Sequence, residues 1–274
     1  MEVCFLQLSD NEFQHIVGYV RQKYGINLSQ KRTLISGRLE NYLLRNGYKS
    51  YGDYIQVVEQ NPGGKEAANL INVLTTNHTY FMREFIHFEF MQKNILPWIY
   101  ETQGKRKKDV RIWSAASSTG EEPYTIQMVL RDFFQMDEAW DTQILATDIS
   151  TEVLQKAKSG VYLAEQIQPL PDKWKKKYFQ EIGFEQYQVK EEIRKKIVFR
   201  PFNLMQDIPF KGMFQVVFLR NVMIYFEEET KRQLLDRIYE HMEPGGYLFI
   251  GTTESIDKSA VRFEYVQPSI YQKV

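Results

Sequence analysis

The chain has 274 residues, 43% of them hydrophobic and 26% charged, the balance of a folded protein of one or two domains rather than a disordered one. Lys and Arg together number 35, as do Asp and Glu, so the formal net charge is zero, which argues against a nucleic-acid binder with an all-over basic surface. Cys4 is the only cysteine, which excludes an internal disulfide and a thiolate metal cluster.

Met1 to Asp10 lack the basic segment and long apolar core of a signal peptide. No run approaches the roughly 20 apolar residues of a transmembrane helix. The expected compartment is therefore a reducing cytoplasm. His15, His78, His87 and His241 show no HExxH pairing, so no metal is expected.

Ser9-Asp10-Asn11-Glu12 has the form of a capping box, and Phe13, Ile16, Val17, Val20 and Tyr24 follow at helical spacing. A second helix is predicted from about Ser29, with Ile35, Leu39, Tyr42 and Leu43 on one face and Gly47 as its left-handed end. Ser50 with Asp53 opens a third, carrying Tyr54, Ile55 and Val58 and closed by Asn61-Pro62-Gly63-Gly64. Lys65 to Leu74 makes a fourth. Nothing before residue 75 reads as a strand, which predicts a small all-helical domain over residues 1–75.

Residues 76–108 form a linker in which Thr76-Asn77-His78-Thr79-Tyr80-Phe81-Met82-Arg83-Glu84 is too polar for a buried strand and too specific for a passive tether. It ends in the basic turn Gln103 to Lys108. Beyond it the pattern alternates. Val110 to Ala116, Thr142 to Ile149, Gln215 to Leu219 and Gly246 to Thr252 read as strands; Glu121 to Phe134, Thr151 to Ser159 and Glu227 to His241 read as helices. Such alternation predicts an α/β domain with a mostly parallel, doubly wound sheet over residues 109–274. The stretch from about 160 to 200 breaks the rhythm, and Tyr187 to Glu191 with Ile193 to Pro201 is the expected hairpin of a small β-subdomain inserted there.

In an open parallel sheet, ligands sit beyond the carboxyl ends of the strands at the switch point. The turn after the first predicted strand, Ala115-Ala116-Ser117-Ser118-Thr119-Gly120, has small side chains that let backbone approach a ligand. It lacks both GxGxxG and GxxxxGK[ST], and Glu121-Glu122 at the helix start would repel a phosphate. Two acids there fit a cationic ligand, or simply complement the helix dipole. Asp148 ends the second strand, where an acid accepts hydrogen bonds from a ribose or caps the helix that follows. A nucleoside that has a positive charge and no phosphates suggests S-adenosylmethionine. Arg220-Asn221-Val222-Met223-Ile224-Tyr225-Phe226, leaving the fourth parallel strand, meets the same edge, unless Tyr225 is packed as core.

Together these segments resemble the chemotaxis receptor glutamate methyltransferases, the CheR family. The likeness runs through the helical front, the linker Thr76 to Glu84, the loop Trp113 to Tyr124, Ala146-Thr147-Asp148-Ile149, and the string Arg220 to Phe226, ahead of which Leu219 stands in place of the family's Cys. Met82 stands where the family's linker has a second aromatic residue. The resemblance implies a class I S-adenosylmethionine-dependent methyltransferase fold, Rossmann-like, with an N-terminal all-helical domain and the inserted β-subdomain. It also implies that Asn77 and Thr79 line the cofactor pocket and that Arg83 reaches the methionine carboxylate or the transferring centre. Glu122 would hold the ammonium, Asp148 the ribose, Asn203 and Leu204 the adenine. Arg220 and Asn221 would complete the wall, with Tyr225 facing the methyl group.

Receptor-tethering members of the family carry a Gly-containing insertion in the β-subdomain hairpin; Gly183 to Val189 is short and lacks it, so tail-peptide tethering is not expected. The substrate implied is a helical, acidic chemoreceptor domain. Between residues 20 and 50, Arg21, Lys23, Lys31, Arg32, Arg38, Arg45 and Lys49 face a single acid, Glu40, an excess suited to steering such a partner. The competing expectations are a methyltransferase for another protein or a small molecule, and a non-catalytic scaffold that binds S-adenosylmethionine and signals.

Overall fold

The computed structural model describes residues 6–104, 107–135, 137, 139–257 and 261–274. Cys4 and part of the basic turn, Lys105 and Arg106, lie outside them. The helical front has four helices, α1 (Asp10–Tyr24), α2 (Arg32–Arg45), α3 (Tyr51–Gln60) and α4 (Lys65–Leu74). The capping box of α1 forms as read: Ser9 Oγ accepts from Glu12 N at 3.3 Å, and the Glu12 carboxylate accepts from Ser9 N at 3.0 Å. Helix α2 begins at Arg32 rather than Ser29, because residues 28–31 close a separate turn, Lys31 N donating to Leu28 O at 2.9 Å, and Lys31 leaves it with a non-helical backbone, φ -117. Ile16, Val20, Ile35, Leu39, Tyr54, Val58 and Leu70 interlock as its core.

Residues 85–104, expected as part of the linker, form a helical arm. It consists of α5 (Ile86–Phe90), a π-type turn (Met91–Ile95) and α6 (Leu96–Gln103). Pro97, with no N–H to donate, sits in the first turn of α6, just after the altered hydrogen-bond ladder. Phe88, Met91, Ile95 and Ile99 point into the core of the sheet domain.

That domain runs β1 (Ile112–Ala115), α7 (Glu121–Phe133), β2 (Ile144–Asp148), α8 (Thr151–Ser159), β3 (Val161–Leu163), α9 (Ala164–Ile167), α10 (Asp172–Tyr178), β4 (Phe179–Gly183) and β5 (Gln186–Val189). It continues through α11 (Glu191–Arg194), β6 (Ile197–Pro201), β7 (Phe214–Leu219), α12 (Glu228–Glu240), β8 (Met242–Ile250), β9 (Phe263–Gln267) and β10 (Ile270–Lys273). Seven strands form one sheet in the order β6-β2-β1-β7-β8-β10-β9, with β10 antiparallel to both neighbours and the pairs from β6 to β8 parallel. β7 is buried at every position, as a strand covered on both faces must be. One core lies under α7, α8 and the arm; the other lies under α12.

The inserted antiparallel sheet differs from the expected hairpin. It is three-stranded, in the order β3-β5-β4, and ends at Val189. Ile197 to Pro201 instead pairs in parallel with Ile144 to Asp148 as an edge of the large sheet. The helical turn α11 separates the two, and Ile197 and Phe199 are the buried members of an alternating strand that needs the large core, not a hairpin partner.

Candidate functional site

Strand order reverses between β1 and β7, which places the switch-point crevice where β2, β1 and β7 end side by side. A cavity of about 260 Å³ lies there, and the α1–α2 loop, the linker and the strand-exit loops all contribute to its wall. Ala116 and Ser118, with φ 62 and 48, tighten the turn after β1, a conformation costing roughly 1–2 kcal/mol per non-glycine residue and concentrated at functional sites. Gly120 ends the turn at φ 99; a Cβ there would stand 2.9 Å from that of Ala157 and 3.0 Å from the Tyr162 hydroxyl. Neither backbone nor space admits a side chain.

The two acids that follow part company. Successive helical positions point about 100° apart, so Glu121 turns into the core, accepts from Thr119 Oγ1 at 2.7 Å and does not line the cavity. The expectation of two acids facing one cationic ligand is thus corrected to one. Glu122 lines the cavity, accepting from Ser114 Oγ at 2.7 Å and from Arg220 Nη1 at 2.9 Å. Burial pushes its carboxyl above the usual range, opposed by Arg220 and Ser114.

Asp148 is not a helix cap: α8 is capped by Ser150, whose Oγ accepts from Val153 N at 3.3 Å. Its carboxylate accepts from Ser118 N and Ser150 N, each at 2.9 Å, and is itself only 6% exposed. Burial raises its pKa too, with the backbone donors opposing. A carboxylate has about four acceptor sites, so acceptor capacity remains for a ligand in the cavity that it lines.

From the linker, Asn77, Thr79 and Arg83 line the same cavity. Ser118 Oγ donates to Asn77 O at 3.0 Å, and Arg83 Nη1 donates to His78 O at 2.7 Å with its guanidinium over the Tyr80 ring. Met82, half-buried with φ 63, packs against the core. From the far side come Asn203, Leu204, Arg220, Asn221 and Tyr225. Apart from Glu121, the residues anticipated from the sequence as lining the site therefore meet around one cavity. Arg220 and Asn203 are more committed than anticipated. The Arg220 side chain is 2% exposed and bridges Glu122 to Glu84. The Asn203 amide donates to Lys23 O at 2.8 Å and accepts from Met205 N at 3.0 Å.

Sequence reasoning missed the wall supplied by the helical domain: Ile26, Asn27, Leu28 and Lys31 line the cavity. Asn27 N donates to Tyr225 O at 2.8 Å, and Asn27 Nδ2 and Arg21 both bond Glu227. Only the break between two helices marked this loop in the sequence.

The cavity suits a nucleoside with a cationic amino-acid end. Two buried carboxylates whose desolvation a cation or a diol would relieve stand on it, and Ile149, Phe202 and Leu204 offer apolar wall for a flat ring. Ser117 Oγ, also on the wall, is buried without a hydrogen-bond partner among the described residues, leaving an atom for a ligand to satisfy. Fold and site together define a class I S-adenosylmethionine-dependent methyltransferase.

Comparison with known proteins narrows this. Residues 77–271 match the S-adenosylmethionine-binding domain of CheR methyltransferase and residues 11–75 match its all-alpha domain. The chain belongs to the CheR methyltransferase family. It is 38% identical to a chemotaxis protein methyltransferase of Borreliella burgdorferi, over 98% of this chain and 96% of that one. It is 36% identical to one from Escherichia coli, over 97% and 92%. No helix among the described residues is long and apolar enough to cross a membrane.

Proposed function

We propose that the protein transfers a methyl group from S-adenosylmethionine to glutamate side chains of chemoreceptors, forming methyl esters. The observation that carries this reading is the convergence of Arg83, Glu122, Asp148, Arg220, Asn221 and Tyr225 on one cavity in a chain of this family. In the reading, Glu122 holds the ammonium and Asp148 the ribose. Asn203 and Leu204 meet the adenine, with Asn77 and Thr79 beside them.

When bound, S-adenosylmethionine supplies a methyl group on a sulfonium, which departs as a neutral thioether. A substrate glutamate has an ordinary pKa of about 4.3 and is already ionised at neutral pH, so no general base is needed. The chain's task is alignment and exclusion of water, and orientation alone is worth up to about 7–11 kcal/mol in favourable systems. Arg83 and Tyr225 orient the incoming carboxylate. Arg83 is already held by His78 O and Tyr80, which limits how tightly it grips the nucleophile and leaves the carboxylate reactive.

In this reading the helical domain 1–75 faces the receptor, the linker 76–108 serves the pocket, and residues 109–274 carry the chemistry. Three of the proposed docking cations have partners within the chain. Arg21 pairs with Glu227, Arg32 with Asp10 and Leu8 O, and Arg38 with the carbonyls that end α4. Lys31 at the cavity rim and Arg45 at the exposed end of α2 are left as the more available ones. Between β4 and β5 only Phe184 and Glu185 intervene, which supports recognition through the helical domain rather than through a tail peptide.

The test incubates the protein with methyl-labelled S-adenosylmethionine and chemoreceptor-containing membranes. Label on the receptor that mild base releases as methanol is expected. Label that resists base, or none, defeats the assignment to glutamate.

A further inference from the structure

Glu84 stands beside the cavity but does not line it. Its backbone is left-handed, φ 55, in the turn that brings the linker across the ends of β7 and β8. Its carboxylate is a hub. Oε2 accepts from Arg220 Nε at 3.3 Å, Arg220 Nη2 at 3.2 Å and Thr252 N at 3.2 Å, while Oε1 accepts from Asn221 Nδ2 at 3.2 Å. The opposite edge of the same guanidinium reaches Glu122. A second carboxylate, Glu254, fixes the loop from below, accepting from Asn221 N at 2.8 Å, Gly251 N at 2.6 Å and Ile224 N at 3.1 Å. Gly251 is required there, since a Cβ would fall 2.4 Å from Asn221 Nδ2.

One buried cation is therefore divided between two buried carboxylates. Were Arg220 paired with Glu122 alone, the pair would be neutral and Glu122 would offer little to an ammonium. Sharing the guanidinium with Glu84 leaves the trio with one net negative charge, and Glu122 is its acid on the cavity wall. We infer that Glu84 is a positioning residue for cofactor recognition: by holding Arg220 and Asn221 it keeps Glu122 available to a cationic amino-acid group, without touching the cofactor itself. This rests on the reading of Glu122 as the ammonium site.

Glu84→Gln is nearly isosteric, but it turns one acceptor into an NH2 group facing either Asn221 Nδ2 or the N–H groups of Arg220 and Thr252. Glu84→Asp keeps the charge and is one methylene shorter. Binding is measured by calorimetry for S-adenosylmethionine and for 5′-methylthioadenosine, which keeps the nucleoside and lacks the amino-acid end. In Glu84→Gln the Kd for S-adenosylmethionine is expected to rise about tenfold, the scale of one charge-assisted hydrogen bond, with that for 5′-methylthioadenosine unchanged and Glu84→Asp intermediate. Equal weakening of both ligands would mean that Glu84 only supports the fold, and no change in either would mean that it does not act through Glu122; each overturns the inference. A wild-type protein that bound neither ligand would overturn the cofactor reading and this inference with it, whereas normal wild-type binding beside an unaltered Glu84→Gln overturns the inference alone.

Discussion

The helical front and the sheet domain solve burial in opposite ways. Among the described residues, every buried polar or charged side chain lies at or beyond His87; the α1–α4 core is built from aliphatic and aromatic groups, with the Tyr51 and Tyr54 hydroxyls donating to the carbonyls of Ser36 and Glu66. In the sheet domain Glu121, Asp148 and Arg220 are buried outright, with Glu84 and Glu122 nearly so. Burying charge is costly and adds little to stability compared with apolar packing. Apart from Arg131 on α7, the fold gathers this buried charge at one edge of one sheet, with none in the neighbouring bundle among the described residues, and that edge marks where it binds.

That contrast can be broken by mutation. The largest effect is expected from Arg220→Leu, which strands Glu84 and Glu122 and should cost about 3–5 kcal/mol of stability in urea denaturation. Lys93→Ala, which removes an exposed pair with Glu89 at 3.6 Å, should cost under about 1 kcal/mol; comparable losses would erase the distinction. A smaller effect follows from His87. Its Nε2 meets Ser269 Oγ at 2.6 Å, Ser269 in turn donates to Pro268 O, and Nδ1 lies 3.5 Å from Glu84 without a hydrogen bond. Burial, then Arg220, push the ring down to about 4 from 6.5, against the pull of Glu84. As pH falls from 6.5 towards 4 the unfolded chain takes up this proton first, so stability drops through that window, by a few kcal/mol at most. His87→Gln should flatten the slope of the urea midpoint between pH 7 and pH 5; an unchanged slope would show that His87 is not its source. The smallest effect concerns the bundle surface. Arg45→Glu with Lys49→Glu, both exposed, should slow receptor methylation a few-fold at low salt and less at high salt, with cofactor Kd unchanged. Equal rates at low salt would remove electrostatic steering from the bundle.

Local chemistry made much of the molecule readable. The Ser9–Glu12 box, the span Lys65–Leu74 and the helix Thr151–Ser159 are set by caps and spacing within a few residues. Features that depend on distant partners were not readable. Phe85 to Phe90 is too short to show a helical face, and its partners, such as Phe218 and Phe249, come from β7 and β8. Ile197 to Pro201 follows a charged turn, and its pairing with β2 spans the whole insertion. At the site, residue types placed Glu122, Asp148 and Arg220 at the correct edge, but only the helix phase separates Glu122 from Glu121. Glu84 lies within the polar linker stretch Thr76 to Glu84, yet its importance arises from four donors contributed by segments more than 130 residues away.

The α1–α2 loop bonded to Tyr225 has a thermodynamic consequence. Because both domains furnish the cavity wall, whatever fills it is a reversible staple between them, and the seam shares in the binding free energy. At a cofactor concentration a hundred times its Kd, this linkage stabilises the liganded state by about 2.7 kcal/mol. The firmness with which the bundle is held to its partner then follows the supply of methyl donor, through mass action alone.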